Sequence, residues 1–286
     1  MAKCKVCFRQ CDIEEGKLGF CGGRTCRAGI VVPENYGRIT SLALDPIEKK
    51  PLNRFYPGSK ILSVGSYGCN LRCPFCQNYE ISWSDEVAFV KKEARYISPE
   101  ELVRIAEEQM PYGNIGVAFT YNEPLISYEY ILDTAKLLKP RGLRTILVSN
   151  GMASVETVGE LFDYVDAMNI DLKGFTDRYY QDLLKGNRQM VMDFITEAVK
   201  HCHVELTTLI IPGENDTEEE IRALSQWIAE LKDTAGNQIG QNIPLHLSRF
   251  FPRFHMKDRD ATPVDLVYHF KTVAEEYLNF VYTGNC

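Results

Sequence analysis

Six short apolar runs, separated by amphipathic helical stretches, follow one another from residue 61 to the end of the chain. Each run is too short, and too closely flanked by turn residues, to be a core helix. The six predicted strands are residues 61–68, 115–121, 144–149, 167–172, 204–211 and 244–249. Consecutive β-α units imply a parallel sheet with right-handed crossovers. We therefore predict an α/β fold, a partial (β/α)6 TIM-like barrel, over residues 61–286.

Capping motifs in the sequence indicate where two of the helices between these strands begin. Ser98, Pro99 and Glu101 belong to a capping box with proline at the first helical position. A second capping box, from Thr217 to Glu220, opens a helix that reaches residue 232. Further helices are predicted over residues 128–138, 155–162, 190–201 and 263–278.

Polar motifs follow the predicted strands at their carboxyl ends, where folds of this kind gather their functional residues. A cysteine loop follows the first strand. The later strands are followed by, or end with, the residues Asn122, Glu123, Asn150, Asp171, Lys173, the turn at 212–216 and Arg249. We therefore expect one functional site along this rim.

The cysteine loop contains Cys69, Cys73 and Cys76, three thiols in eight residues with the spacing C-x3-C-x2-C. Three thiolates can hold three corners of a four-iron cluster and leave one iron free to bind another molecule. Structural zinc would need a fourth, distant ligand. The spacing therefore favours an iron-sulfur cluster with an open corner. Phe75 would lie against the molecule at that corner, or would pack beneath the loop.

The first 30 residues are rich in cysteine and glycine and contain no long apolar run. Such a segment cannot bury enough surface to order itself, which predicts a metal-stapled knuckle over residues 1–30 and a structured connector over residues 31–60. Four thiols are candidate ligands, with Cys26 spare: Cys4, Cys7, Cys11 and Cys21. Their spacing suits structural zinc or a second iron-sulfur cluster, and it also allows a set of thiols without metal.

Charge and hydropathy exclude several classes of function. The chain has a net charge of −7 and no Lys/Arg-rich stripe, which argues against nucleic-acid binding. It has no apolar run of 18 residues and no signal segment, so we predict no membrane association and a cytoplasmic location. Because the cytosol keeps thiols reduced, its ten cysteines are better explained as metal ligands than as disulfides.

The cysteine loop resembles the signature of the radical S-adenosylmethionine (SAM) superfamily. A longer set of motifs resembles one branch, the AmmeMemoRadiSam-system radical SAM enzymes, which are described as homologues of pyruvate formate-lyase activating enzyme. These motifs are YGCNLRCPFCQNYEIS at 67–82, ALDPIEKKPL at 43–52, FYPG at 55–58, TYNEP at 120–124, NIDLKG at 169–174 and VYTGN at 281–285. The resemblance extends over most of the chain.

The resemblance implies a function and a set of cofactors. SAM would bind the open iron of a [4Fe-4S] cluster through its amino and carboxylate groups. One electron would then split SAM into methionine and a 5′-deoxyadenosyl radical, which abstracts hydrogen from a substrate under anaerobic conditions. The implied partners are SAM, a one-electron donor such as flavodoxin or ferredoxin, and a protein substrate such as a glycyl-radical enzyme.

Residue roles follow from the same resemblance. Tyr121, Asn122 and Glu123 stand where the superfamily usually has Gly-Gly-Glu, whose backbone and carboxylate hold the SAM amino group. Asn150, Asp171 and Lys173 are candidates for the methionine carboxylate and the ribose hydroxyls. His246 and Arg249 are further candidates, but they point to opposite faces of an ideal strand, so only one of them need face the barrel. The alternatives are a helix-start role for Glu123, turn chemistry for Asn150, solvated charges for Asp171 and Lys173, and a core role for His246.

Two other functions compete with glycyl-radical activation. The first is radical modification of a small molecule or of another kind of protein. The second is a non-catalytic iron-sulfur or zinc protein that carries electrons or scaffolds a partner. Such a carrier would not need the six motifs on one rim, which favours an enzyme.

Overall fold

A computed structural model describes residues 1–286 of the chain. Its strands, in chain order, are β1 Ala2–Lys3, β2 Asp12–Ile13, β3 Arg24–Arg27, β4 Ile30–Pro33, β5 Arg38–Ile39, β6 Ser41–Pro46, β7 Lys60–Gly65, β8 Arg95–Tyr96, β9 Asn114–Thr120, β10 Arg144–Ser149, β11 Ala167–Asp171, β12 His203–Ile210, β13 Leu245–Arg249 and β14 Val281–Gly284. The helices are α1 Tyr79–Ser82, α2 Val87–Glu93, α3 Pro99–Glu108, α4 Tyr128–Leu138, α5 Val155–Val158, α6 Arg188–Ala198, α7 Glu218–Ala229 and α8 Val264–Glu275.

Eight strands form one open sheet in the order β14-β13-β12-β11-β10-β9-β7-β6. The six predicted strands are its central members, β7 and β9 to β13, and all of them pair in parallel. This confirms the partial barrel. The structure adds a parallel strand, β14, at one edge and an antiparallel strand, β6, at the other.

The two added strands lie outside the alternating pattern of the sequence. β6 lies within the segment 31–60 that was predicted to be a structured connector, and half of its residues are exposed at the edge of the sheet. β14 is only four residues long and begins soon after α8. Neither segment has enough apolar residues to stand out as a buried strand.

Local sequence determines where the helices begin. The Ser98 hydroxyl accepts a hydrogen bond from the Glu101 amide, and the Thr217 hydroxyl accepts one from the Glu220 amide, as the capping boxes predicted. The prediction of a helix over residues 155–162 was wrong for the second half of that segment. The segment is the single turn α5 followed by a 3₁₀ segment at Gly159–Asp163, because glycine has a low helix propensity.

The connector between the knuckle and the barrel closes the amino-terminal end of the sheet. Ile47 and Leu52 are fully buried against residues early in β7, β10 and β11. Beside them, the Asn169 side-chain amide donates to the Pro51 carbonyl at 2.9 Å. The opposite, carboxyl-terminal rim of the barrel therefore carries the loops that can form a site.

Candidate active site

The cysteine loop leaves the carboxyl end of β7. Cys73 is buried, Cys69 and Cys76 are partly buried, and none of the three forms a disulfide. Burial raises the pKa of Cys73 to about 12 and also raises the pKa of Cys69 and Cys76. Thiols in such surroundings stay protonated unless a cation replaces the proton, so this donor set fits an iron-sulfur cluster.

Neighbouring amides point at the sulfur of Cys69. The Leu71 backbone amide lies 3.4 Å and the Asn150 side-chain nitrogen 3.7 Å from Sγ. Hydrogen bonds to a cluster's sulfur ligands change its reduction potential. The predicted SAM-binding residue Asn150 therefore lies against a predicted cluster ligand.

Asn150 is held in place by a ring of side-chain and backbone contacts. Its Nδ2 donates to Asn70 Oδ1 at 2.9 Å, the Asn70 amide donates to the Met152 carbonyl at 2.7 Å, and the Met152 amide donates back to Asn150 Oδ1 at 2.8 Å. The sequence reasoning missed Asn70. Its position directly after Cys69 was the only available signal.

The Glu123 carboxylate joins the ends of β9 and β10. It is buried and accepts hydrogen bonds from the Leu125 amide at 2.9 Å, the Ser149 hydroxyl at 2.8 Å and the Asn150 amide at 2.8 Å. Burial raises its pKa to about 7 despite these three donors. The bond to Leu125 matches the helix-start role, and binding of a SAM ammonium group by Glu123 stays a prediction.

Tyr121 and Asn122 attach the turn after β9 to its surroundings. Tyr121 has a φ of +72°, a conformation that favours glycine, and its hydroxyl donates to Asp45 Oδ2 at 2.8 Å. Asn122 accepts from the Ser66 amide at 3.0 Å and donates to the Gly68 carbonyl at 3.2 Å. Asn122 therefore holds the start of the cysteine loop, whereas Tyr121 bonds the turn to the edge strand β6.

Asp171 and Lys173 form an ion pair beside the cysteine loop. The Lys173 Nζ lies 2.7 Å from Asp171 Oδ2. Burial lowers the pKa of Lys173, but the Asp171 carboxylate and the nearby Cys73 sulfur outweigh it and raise that pKa overall. The pair therefore places a stable positive charge next to a predicted cluster ligand. A contact with the ribose stays a prediction.

The remaining candidates have partners within the protein. His246 Nε2 lies 2.6 Å from Glu205 Oε2, and the same carboxylate accepts hydrogen bonds from the connector. Phe75 packs in the main core. Arg249 donates to the Thr262 carbonyl at 2.6 Å. The structure thus brings Cys69, Asn150, Glu123 and the Asp171–Lys173 pair to one rim, and it places His246 with Glu205.

An aromatic cluster that the sequence did not predict covers one side of the cysteine loop. The Tyr79 and Phe254 rings stack at 4.3 Å, and the Trp83 ring meets Phe254 edge-on at 5.0 Å. The backbone amide of His255 donates to the Pro74 carbonyl, between two loop cysteines, at 2.9 Å. The segment after β13 therefore packs directly on the loop.

Residues 63–225 match the family model of the radical SAM superfamily, which is more than half of the chain. The chain belongs to the radical SAM superfamily. Members of this superfamily use a [4Fe-4S] cluster and SAM, and the three free thiols after β7 fit that cofactor set. Membership of the AmmeMemoRadiSam branch stays a prediction.

Relatives of known sequence extend the comparison. An uncharacterised protein of Methanocaldococcus jannaschii is 36% identical over 287 residues, which cover 99% of this chain and 81% of that protein. Pyruvate formate-lyase-activating enzyme of Clostridium pasteurianum is 26% identical over 184 residues, covering 63% of this chain and 72% of that enzyme. The chain is thus similar to radical SAM activases, at low identity.

Solved structures show the same fold. SuiB of Streptococcus suis superposes with a TM-score of 0.56 at 14% identity, over 78% of this chain and 48% of that one. A radical SAM methyltransferase from Sphaerobacter thermophilus gives a TM-score of 0.55 at 16% identity, over 80% and 67% of the two chains. None of the helices in the present structure is long and apolar enough to cross a membrane.

Gly68, just before Cys69, is expected to tolerate no side chain. Its φ is +93°, and a Cβ there would lie 2.7 Å from the Cys21 carbonyl oxygen. We expect Gly68→Ala to displace the cysteine loop, so that less iron is retained after anaerobic reconstitution, and to lower the free energy of unfolding.

Gly58→Ala is the matched control. Gly58 also has a positive φ, +82°, but its Cβ would meet no atom within 4 Å. Both variants carry the backbone strain, of about 1–2 kcal/mol, and only Gly68→Ala adds the clash, of about 1–3 kcal/mol. Equal iron content and equal unfolding midpoints in the two variants would show that the close approach at Gly68 does not hold the loop.

Proposed function

We propose that this protein cleaves SAM reductively at a [4Fe-4S] cluster bound by Cys69, Cys73 and Cys76, and uses the product radical to abstract hydrogen from a substrate. The observation that carries the proposal is the set of three free thiols in the loop after β7, within a chain of the radical SAM superfamily. A reduced cluster of this type supplies the single electron that splits SAM into methionine and the 5′-deoxyadenosyl radical.

The residues of the rim have separate tasks in this proposal. Lys173 offers a positive charge for the carboxylate of SAM, and Asp171 offers a carboxylate for its ribose hydroxyls or ammonium group. Asn150 and Glu123 keep the ends of β9 and β10 at a fixed distance from Cys69. The aromatic cluster of Tyr79, Trp83 and Phe254 excludes water from one side of the loop, which protects a radical from quenching.

Formation of 5′-deoxyadenosine tests this function. The full chain is reconstituted anaerobically with iron and sulfide, given dithionite and SAM, and its products are separated by chromatography. We expect 5′-deoxyadenosine and methionine in equal amounts, with neither formed when dithionite is omitted. A fully loaded protein that leaves SAM intact would contradict the proposal.

For the substrate we propose a glycine residue of a partner enzyme, with a flavodoxin or ferredoxin as the electron donor in a reducing cytoplasm. The similarity to pyruvate formate-lyase-activating enzymes supports this choice. Pyruvate formate-lyase labelled with α-deuterated glycine is a direct probe. Deuterium in the 5′-deoxyadenosine supports glycyl-radical activation, whereas unlabelled product with an active enzyme favours a small molecule or another kind of protein as the substrate.

A further inference from the structure

The four candidate thiols of the amino-terminal knuckle meet in one small cavity. Cys4, Cys7, Cys11 and Cys21 all line it, together with apolar residues such as Val6 and Ile13 and with Arg9 and Arg24. None of the four is in a disulfide. Cys26 does not line the cavity, and its sulfur contacts Glu15 Oε2 at 3.4 Å instead. Four of the five knuckle thiols therefore share one cavity, and the fifth, Cys26, lies outside it.

The chain around these thiols is tightly folded. The Cys4 amide donates to the Cys11 carbonyl at 2.9 Å, and the Gln10 amide donates to the Cys7 carbonyl at 3.1 Å. These bonds fold residues 4–11 into a short turn that carries three of the thiols, and Cys21 lines the same cavity. Four free thiols that line one cavity supply the types of ligand that a zinc ion or an iron-sulfur cluster takes.

The knuckle is bonded directly to the cysteine loop of the barrel. The carbonyl of Cys21 accepts a hydrogen bond from the amide of Cys69 at 3.0 Å. This bond therefore joins a cysteine of the knuckle to a cysteine of the barrel's cysteine loop. The backbone of Gly68 approaches the Cys21 carbonyl so closely that a methyl group there would clash with it.

A stack of three side chains reinforces this junction. The Phe20 ring lies between two guanidinium groups, with Arg9 Cζ 3.4 Å and Arg72 Cζ 3.8 Å from its centroid. Arg9 Nε donates to the Asn70 carbonyl at 3.2 Å, and Arg72 Nη1 donates to the Cys69 carbonyl at 2.8 Å. The two positive charges therefore lie between the two thiol groups, where they offset the negative charge of bound thiolates.

Extending the proposed function, we propose that Cys4, Cys7, Cys11 and Cys21 bind a second thiolate-ligated metal centre, and that this centre positions the Cys69 side of the SAM-cleaving cluster. Zinc and an iron-sulfur cluster share the chemistry of this site. In both cases the metal orders the knuckle, and the knuckle holds the cysteine loop through the Cys21–Cys69 hydrogen bond and the Phe20 stack.

Metal analysis of two reciprocal variants tests the site. Cys73→Ala/Cys76→Ala removes the first cluster, and we expect it to retain about one zinc ion, or about four iron and four sulfide ions, per chain. Cys4→Ala/Cys7→Ala should lose that amount and keep the iron of the first cluster. Absence of metal from the first variant overturns the proposal, whether or not the wild-type protein cleaves SAM.

Phe20→Leu tests the positioning role with all thiols intact. We expect an unchanged metal content, a changed electron paramagnetic resonance spectrum of the reduced cluster, and 5′-deoxyadenosine formation that is slower by about tenfold, as for other outer contacts of metal ligands. Phe89→Leu, on the exposed face of α2, is the control and should match the wild type. A spectrum of Phe20→Leu identical to that of the control would overturn this role.

Discussion

Replacing Cys73 by alanine should abolish SAM cleavage. Cys73 is the buried member of the loop, and its removal leaves only two thiols to hold a cluster that needs three. We expect the reconstituted variant to contain less iron and sulfide than the wild type, and to form no 5′-deoxyadenosine above the level of protein without iron. Iron analysis, the optical spectrum and product chromatography measure these effects.

Cys202→Ala provides the matched control. Cys202 is a free thiol just before β12; its sulfur makes a hydrogen bond to the Ala198 carbonyl at 3.6 Å, and the residue packs against the main core. This variant should keep the iron content and activity of the wild type. Activity that survives in Cys73→Ala but not in Cys202→Ala would place the reaction away from the cysteine loop.

Replacing Glu205 by alanine should destabilise the fold more than any of the other substitutions. The Glu205 carboxylate is fully buried and is bonded to the amides of Asn53 and Arg54, at 3.0 and 2.7 Å, and to the rings of His203 and His246. Alanine leaves these groups without a partner. We expect the free energy of unfolding to fall by about 3–5 kcal/mol, measured by denaturant titration under anaerobic conditions.

The same carboxylate should make stability depend on acid. Burial alone would raise the pKa of Glu205, but the four hydrogen bonds outweigh it and lower the pKa to about 2. Because the pKa is near 4.3 in the unfolded chain, the stabilisation is complete above that value and is lost as the pH falls from about 4.5 towards 2. Glu205→Gln should remove this part of the acid sensitivity.

The exposed Glu156, in the first turn of α5, supplies the comparison for both measurements. Glu156→Ala should change the free energy of unfolding by less than about 1 kcal/mol. If Glu205→Ala were as stable as Glu156→Ala, the bonds between the connector and the barrel would contribute nothing to the fold.

Prediction of the fold from sequence succeeded where hydrophobic periodicity is strong. The runs that became β10 and β11 are bounded by turns and followed by amphipathic helices, so their type and pairing could be derived. β6 was missed because its pairing with β7 depends on tertiary contacts and not on an apolar pattern of its own. Glycine at position 159 is visible in the sequence, but the apolar pattern around it outweighed its low helix propensity in the prediction.

Prediction of the site succeeded for residues identified by spacing and fell short for residues identified by contact. Spacing pointed to Cys69 and its two partners, and the rim argument pointed to Glu123 and Asn150. Neither argument could show that Asn70 closes a hydrogen-bonded ring around Asn150 or that Phe254 stacks on Tyr79, because these contacts join residues that are far apart in the chain. His246 could not be assigned to a layer of the barrel without knowledge of Glu205.

The connector that closes the amino-terminal end of the sheet has a consequence for the order of events during turnover. Because Ile47 and Leu52 are buried there, molecules that bind inside the barrel enter from the opposite end, beside the cysteine loop. SAM and the proposed protein substrate would then reach the barrel through the same opening. Under the function proposed above, SAM would have to bind before a protein substrate, and a protein substrate that binds first would block this mouth and inhibit the reaction.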